Sequence, residues 1–128
     1  MKQDGSSSEY LVISRGQWDK HLSREQIQKA IDGFYAWKDE LVAAGKMRSG
    51  QRLARDGRTV SRGMVTDGPF GETKELIGGY WFVTAGSLDE AATIVQGNPC
   101  LACGLSCEIR PIDPARASAF ADMTESPR

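Results

Sequence analysis

Gly79 to Ala85, "GYWFVTA", constrains this chain more than any other stretch. It is bounded by glycine, rich in aromatic and β-branched residues, and short enough for one strand. A strand with one face in water alternates polar and apolar residues, but Tyr80-Trp81-Phe82-Val83 is apolar on both sides. Such a strand needs a sheet with both faces covered. The rest of the sequence has to supply those covers, and the chain of 128 residues holds material for one domain.

The clearest helix begins at Leu22-Ser23-Arg24-Glu25-Gln26-Ile27. Ser23 stands as N-cap, Gln26 completes a capping box, and Leu22 and Ile27 occupy the hydrophobic-staple positions. Ile27, Ala30, Ile31, Phe34, Trp37 and Leu41 recur at threes and fours, and Gly45 follows where a left-handed cap ends a helix. A second box, Ser87 to Glu90, opens a short helix with Leu88, Ala91, Ala92 and Val95 on its apolar face, closed by Gly97. Strands are expected at Glu9–Ser14, at Met47–Leu53 and Arg58–Thr66 joined through Asp56-Gly57, and at Gly79–Ala85. The last strand is "LSCEIRPI", in which Leu105, Cys107 and Ile109 alternate with polar residues.

The order is β-α-β-β-β-α-β, a ferredoxin-like α+β pattern with both helices on one face of an antiparallel sheet. Two helices leave nothing of this chain to cover the other face. The expected cover is the same face of a second copy, a homodimer, with an open ligand cleft in a monomer as the alternative. Residues 1–8 read as a flexible N-terminal arm, 9–113 as the domain, and 114–128 as a polar tail with a short helix followed by disorder.

A net charge of −1 with interspersed signs provides no basic stripe for nucleic acid. No apolar run approaches the ~20 residues of a membrane span, and "MKQDGSSSEY" lacks the apolar region of a secretory signal. Three cysteines, an odd number, in a chain able to build its own core fit reduced thiols and a cytoplasmic setting.

Four groups of residues invite a chemical reading. In Asp67-Gly68-Pro69-Phe70, Pro69 restricts the backbone, Gly68 opens it, and Asp67 accepts from the backbone two residues on, so the motif works as a corner with Phe70 as an apolar peg. The chemical alternative makes Asp67 an acid or base, with Gly68, Pro69, Phe70, Thr73, Lys74 and Arg52 around a small polar ligand. Glu72-Thr73-Lys74-Glu75 reads first as a solvated loop that guards a strand edge. Cys100, Cys103 and Cys107 form C-x2-C-x3-C, but no fourth ligand accompanies them and buried small thiols explain them more simply than a metal. A Cys100–Cys103 redox pair is set aside because it does not open a helix in a βαβ setting. His21, at a helix entrance, reads as a surface residue.

"VTDGPFGETKELIGGYWFV" and "NPCLACGLSCEIRPI" resemble the YCII-related family, specifically its DGPF branch, over about Tyr10 to Ile112. The resemblance implies a dimeric α+β barrel of ferredoxin-like protomers with a cleft between sheet and helices. The wider superfamily includes enzymes with a histidine on the first helix and an aspartate in a "DP" step after the second. Those positions fall here at Phe34 and at Asn98 of Asn98-Pro99, neither of which moves a proton at neutral pH. The resemblance therefore implies a small-molecule-binding or accessory regulatory module without the dyad and without a cofactor, in some relatives associated with extracytoplasmic-function sigma factors. The alternative is an isomerase- or lyase-type enzyme using Asp67.

Overall fold

The computed structural model describes residues 7–68 and 76–127. The chain is an α+β fold: β1 (Ser8–Arg15), α1 (Arg24–Ala43), β2 (Met47–Arg48), β3 (Gly57–Ser61), β4 (Met64–Gly68), β5 (Ile77–Ala85), α2 (Leu88–Val95) and β6 (Ser106–Pro111). Four strands form an antiparallel sheet in the order β2-β5-β1-β6, while β3 and β4 form a separate two-stranded sheet among the described residues.

Local chemistry sets both helices as expected. The Ser23 hydroxyl accepts from the Gln26 N–H at 3.1 Å, and the Gln26 side chain accepts from the Ser23 N–H at 2.8 Å. At the other end Lys46 N–H reaches Leu41 O and Gly45 N–H reaches Val42 O. This is a Schellman closure, and Gly45 takes the φ of +75° that it requires. Ser87 caps α2 by accepting from Glu90 N–H at 3.1 Å, and the Glu90 carboxylate reaches back to Gly86 N–H.

The expected strand of β5 spans two faces with separate fates. Trp81, Val83 and Ala85 point to the side of the helices and are buried with Tyr10, Val12, Met47, Ala91 and Val95. Phe34, Trp37, Leu41 and Ile94 pack onto this core from α1 and α2. Tyr80 and Phe82 point the other way and are half-buried, beside Leu11 and Ile13 of β1.

Three expectations are corrected. The hairpin turns at Arg62-Gly63, not Asp56-Gly57, so that Ser61 pairs with Met64 and the described residues hold six strands rather than the five expected. Gly63 supplies the positive φ, +66°, while Gly57 is already the first residue of β3. Met47 to Leu53 is not the partner of the following strand. Only Met47 and Arg48 form a strand, and the rest runs along β5 through Tyr80 N–H to Gln51 O, Leu53 N–H to Gly78 O, and a bridge between Arg52 and Gly79. Gly50 and Gly79 permit this approach, since a Cβ on Gly50 would stand 2.0 Å from the Tyr80 carbonyl oxygen. Beyond residue 113 the described chain holds turns, Ser118–Ala121 and Met123–Ser126, rather than a helix; Pro114 and the bond from Ala115 N–H to the Asp113 side chain favour a turn there.

Candidate functional site

Asp67 and Gly68, the described residues of the Asp-Gly-Pro-Phe motif, end the β3–β4 hairpin. Asp67 stands opposite Arg58 and its carboxylate lies 3.1 Å from the Arg58 guanidinium. Its side chain is 79% exposed in the protomer. Gly68 faces Gly57 as the last residue of β4. Arg52 is exposed at its bridge to Gly79 on the sheet edge. Pro69, Phe70, Thr73 and Lys74, with Glu72 and Glu75, lie outside the described residues. Two surface hollows, of about 410 Å³ and 330 Å³, are lined by other residues, Asp122 to Pro127 in one and Lys46, Thr84 and Glu90 among those of the other.

A second locus forms where α1 meets the segment after α2. Pro99–Cys103 is a 3-10 helix capped by Asn98, whose side-chain oxygen accepts from Cys100 N–H at 2.9 Å. The Asn98 amide nitrogen donates to Cys107 Sγ at 3.6 Å, and Asn98 itself is 5% exposed. Cys100 Sγ donates to the Ala30 carbonyl of α1 at 3.6 Å, and Gly33 lies beside Pro99, where an added Cβ would come within 3.3 Å of the proline ring. The mid-helix glycine therefore marks a close approach of this turn to α1. Burial, and behind it the neighbouring Cys103 and Cys107 charges, pushes the Cys100 thiol up to about 11. Burial also raises Cys107, with the Asn98 amide opposing it. Among the described residues no group of three or more His, Cys, Asp or Glu side chains could hold a metal ion.

Phe34 fills its position as an aromatic ring, 5.3 Å from Trp81 at a 63° tilt and 6.0 Å from Trp37. The two positions that the resemblance pairs as histidine and aspartate thus hold a packing ring and a buried capping amide. Next to that ring is a group the sequence did not announce. The Trp81 indole N–H is buried and has no hydrogen-bond acceptor among the described residues. An orphaned buried donor of this kind costs about 1–3 kcal/mol, and only the tertiary packing reveals it.

The third locus is the outer face of the sheet. Leu11 stands beside Phe82 and Ile13 beside Tyr80 in the β1–β5 register, and the Tyr80 and Phe82 rings meet edge to face at 6.0 Å. Ion pairs flank this apolar centre. Arg48 holds Glu9 through two bonds of 2.8 and 3.0 Å and lies 4.0 Å from the centre of the Phe82 ring. Arg15 and Arg110 hold Glu108 at 2.8 and 3.3 Å. The hydrogen bond from Arg48 keeps Glu9 below the usual carboxylate range, and those from Arg15 and then Arg110 do the same for Glu108. The signal was present as the alternation Glu9, Leu11, Ile13, Arg15, which becomes readable once β1 is known to be a central strand. The described side chains of α1 and α2 that pack on the sheet join the core on its opposite face. His21 is exposed.

The model of the YCII-related domain matches residues 9–115. Uncharacterized protein R00369 of Rhizobium meliloti (strain 1021) is 31% identical over 100 residues, covering 70% of this chain and 78% of that protein. No described helix is long and apolar enough to cross a membrane. With the domain match extending from β1 to just past β6, the chain belongs to the YCII-related family.

Proposed function

We propose that the chain is a small-molecule-binding or accessory regulatory module of the DGPF type, working in the cytoplasm as a homodimer. Two ferredoxin-like protomers pack sheet to sheet into a dimeric α+β barrel, a reading supported by the antiparallel order β2-β5-β1-β6 beneath two helices. The observation that carries it is the outer face: Leu11, Ile13, Tyr80 and Phe82 form an apolar centre on a central pair of strands, and the charges around it are already paired within the protomer. A second copy of the same face meets that centre without bringing an unpaired charge into it. Val60 and Val65 add to this reading, because they oppose each other on the hairpin and are 74% and 65% exposed. A two-stranded ribbon is marginal on its own, and a partner surface would stabilise it.

For the ligand, the orphaned Trp81 N–H beside Phe34 favours a small molecule with an acceptor oxygen entering between sheet and α1. The isomerase or lyase reading, with Asp67 as acid or base and Lys74 or Arg52 as anchor, has weaker support from an Asp67 paired with Arg58 in the open. Association with a sigma-factor system is a role supplied by resemblance alone.

Sizing by light scattering tests the assembly: a dimer is expected at micromolar concentration, converted to monomer by Phe82→Glu. A monomeric wild type sinks the reading. For the ligand, a metabolite screen by thermal shift compares wild type, Asp67→Asn and Trp81→Phe. A compound that stabilises the first two and not the third supports the indole site; loss of the shift in Asp67→Asn instead moves the site to the hairpin.

A further inference from the structure

Cys100 and Cys103 lie in the connection between α2 and β6. They lie three residues apart on the 3-10 helix Pro99–Cys103. With three residues per turn and a rise near 2.0 Å, residues at this spacing eclipse, and their Cα atoms are about 6 Å apart. Disulfides span Cα separations of roughly 4.4 to 6.8 Å. One 3-10 turn therefore brings the two side chains to the same side.

We propose that Cys100 and Cys103 form a reversible intramolecular disulfide when the protein meets a peroxide, making the turn a redox modification site. All three cysteines are free thiols in the structure. The turn is held at both ends, by Asn98 at its start and at its finish by Asp19 N–H, which donates to Cys103 O at 2.9 Å. Closing the bond therefore needs side-chain rotation and little movement of the backbone. The thiols divide the work by access: Cys103 is half-buried and meets the oxidant, while Cys100 is 5% exposed and meets only its neighbour. Cys107 is the excluded third thiol, located on β6 with its sulfur engaged by the Asn98 amide.

The Cys103 thiolate attacks one peroxide oxygen, the O–O bond breaks, and the departing hydroxide takes a proton to become water. The sulfur is then a sulfenic acid, oxidised by two electrons. Cys100, deprotonated, attacks that sulfur; the S–S bond forms, the S–O bond breaks, and a second water leaves. Two thiols and one peroxide thus become one disulfide and two waters. Burial of Cys100 keeps its thiolate scarce and makes this second step the slow one. The new bond also takes the Cys100 proton away from the Ala30 carbonyl, so oxidation is felt in α1.

The test treats the native protein with hydrogen peroxide, alkylates the remaining thiols after denaturation, and weighs the product. Wild type is expected to lose two hydrogens and to retain one alkylatable thiol of three, with full recovery after dithiothreitol. Cys107→Ser should still lose two hydrogens and retain none, Cys103→Ser should keep both remaining thiols, and Cys100→Ser should gain one oxygen at Cys103 as the unresolved sulfenic acid, without losing two hydrogens. Fragment spectra of the oxidised wild type, in which backbone cleavage is suppressed between residues 100 and 103, locate the bond even if a serine variant fails to fold. Three alkylated thiols after peroxide, a bond that includes Cys107, or a disulfide between two chains would each overturn the proposal.

Discussion

Asn98→Ala removes one side chain and tests whether the segment after α2 is held as described. The Asn98 oxygen is the acceptor for Cys100 N–H at 2.9 Å, in a place where Cys100 is 5% exposed and water cannot replace it. Leaving a buried N–H without an acceptor costs about 1–3 kcal/mol. The contact from the Asn98 amide to Cys107 Sγ at 3.6 Å is long and adds little. A loss of about 2 kcal/mol is expected, which for a domain of this size lowers Tm by roughly 6–10 °C. Ser87→Ala is the matched control, because Ser87 also caps a helix, by accepting from Glu90 N–H, but at an exposed site where water takes its place. That change should cost about 1 kcal/mol or less. Urea titration followed by circular dichroism, with unchanged m-values, measures both. If Asn98→Ala costs no more than Ser87→Ala, burial does not set the worth of this cap and the account of the turn is wrong.

Gly50→Ala places a Cβ 2.0 Å from the Tyr80 carbonyl oxygen, a main-chain atom in the middle of the sheet, and should cost about 3 kcal/mol or leave the protein insoluble. Gly45→Ala, where nothing lies within 4 Å and only the positive φ is strained, should cost about 1 kcal/mol; equal losses in the two denaturation curves would contradict the packing of the segment after β2 against β5. The Cys100 thiol is raised from 9.0 to about 11 in the folded chain, so the unfolded chain loses its proton first and stability falls between those pH values, by at most about 2–3 kcal/mol. Cys100→Ser should flatten that alkaline loss in melts taken from pH 8 to pH 11, and an unchanged slope would refute the burial assignment. Glu9 and Glu108 are lowered by their arginine partners, so their contribution is present above the ordinary value of 4.5 and is lost as pH falls through the lower folded values. The double change Glu9→Gln and Glu108→Gln should therefore reduce the acid sensitivity of Tm below that pH, and identical acid profiles would mean the pairs do not form in solution.

Local signals were legible wherever a few neighbouring residues carry the interaction. Ser23 and Gln26 mark the start of α1, Gly45 its end, and Ser87 the start of α2, because capping bonds reach only three or four residues and the side chains that make them are few. Alternation in β6 likewise showed which of its residues share a face. The hairpin was misplaced for a related reason. Asp-Gly is a stronger turn signal than Arg-Gly in isolation, but the pairing of Val60 with Val65 and Arg58 with Asp67 outweighs it over five residue pairs.

Other features depend on residues far apart in sequence, and no local pattern encodes them. That Asn98 is a buried cap, that Trp81 hides an unpartnered N–H, and that Glu9 finds Arg48 across the sheet follow from the order β2-β5-β1-β6. The apolar run Tyr80 to Val83 shows the division most plainly. Composition alone demanded a cover for both faces, since apolar area drives burial whatever the partner. Folding assigned Trp81 and Val83 to this chain's own helices and left Tyr80 and Phe82 outward among paired charges, because the position of the covers depends on long-range strand order.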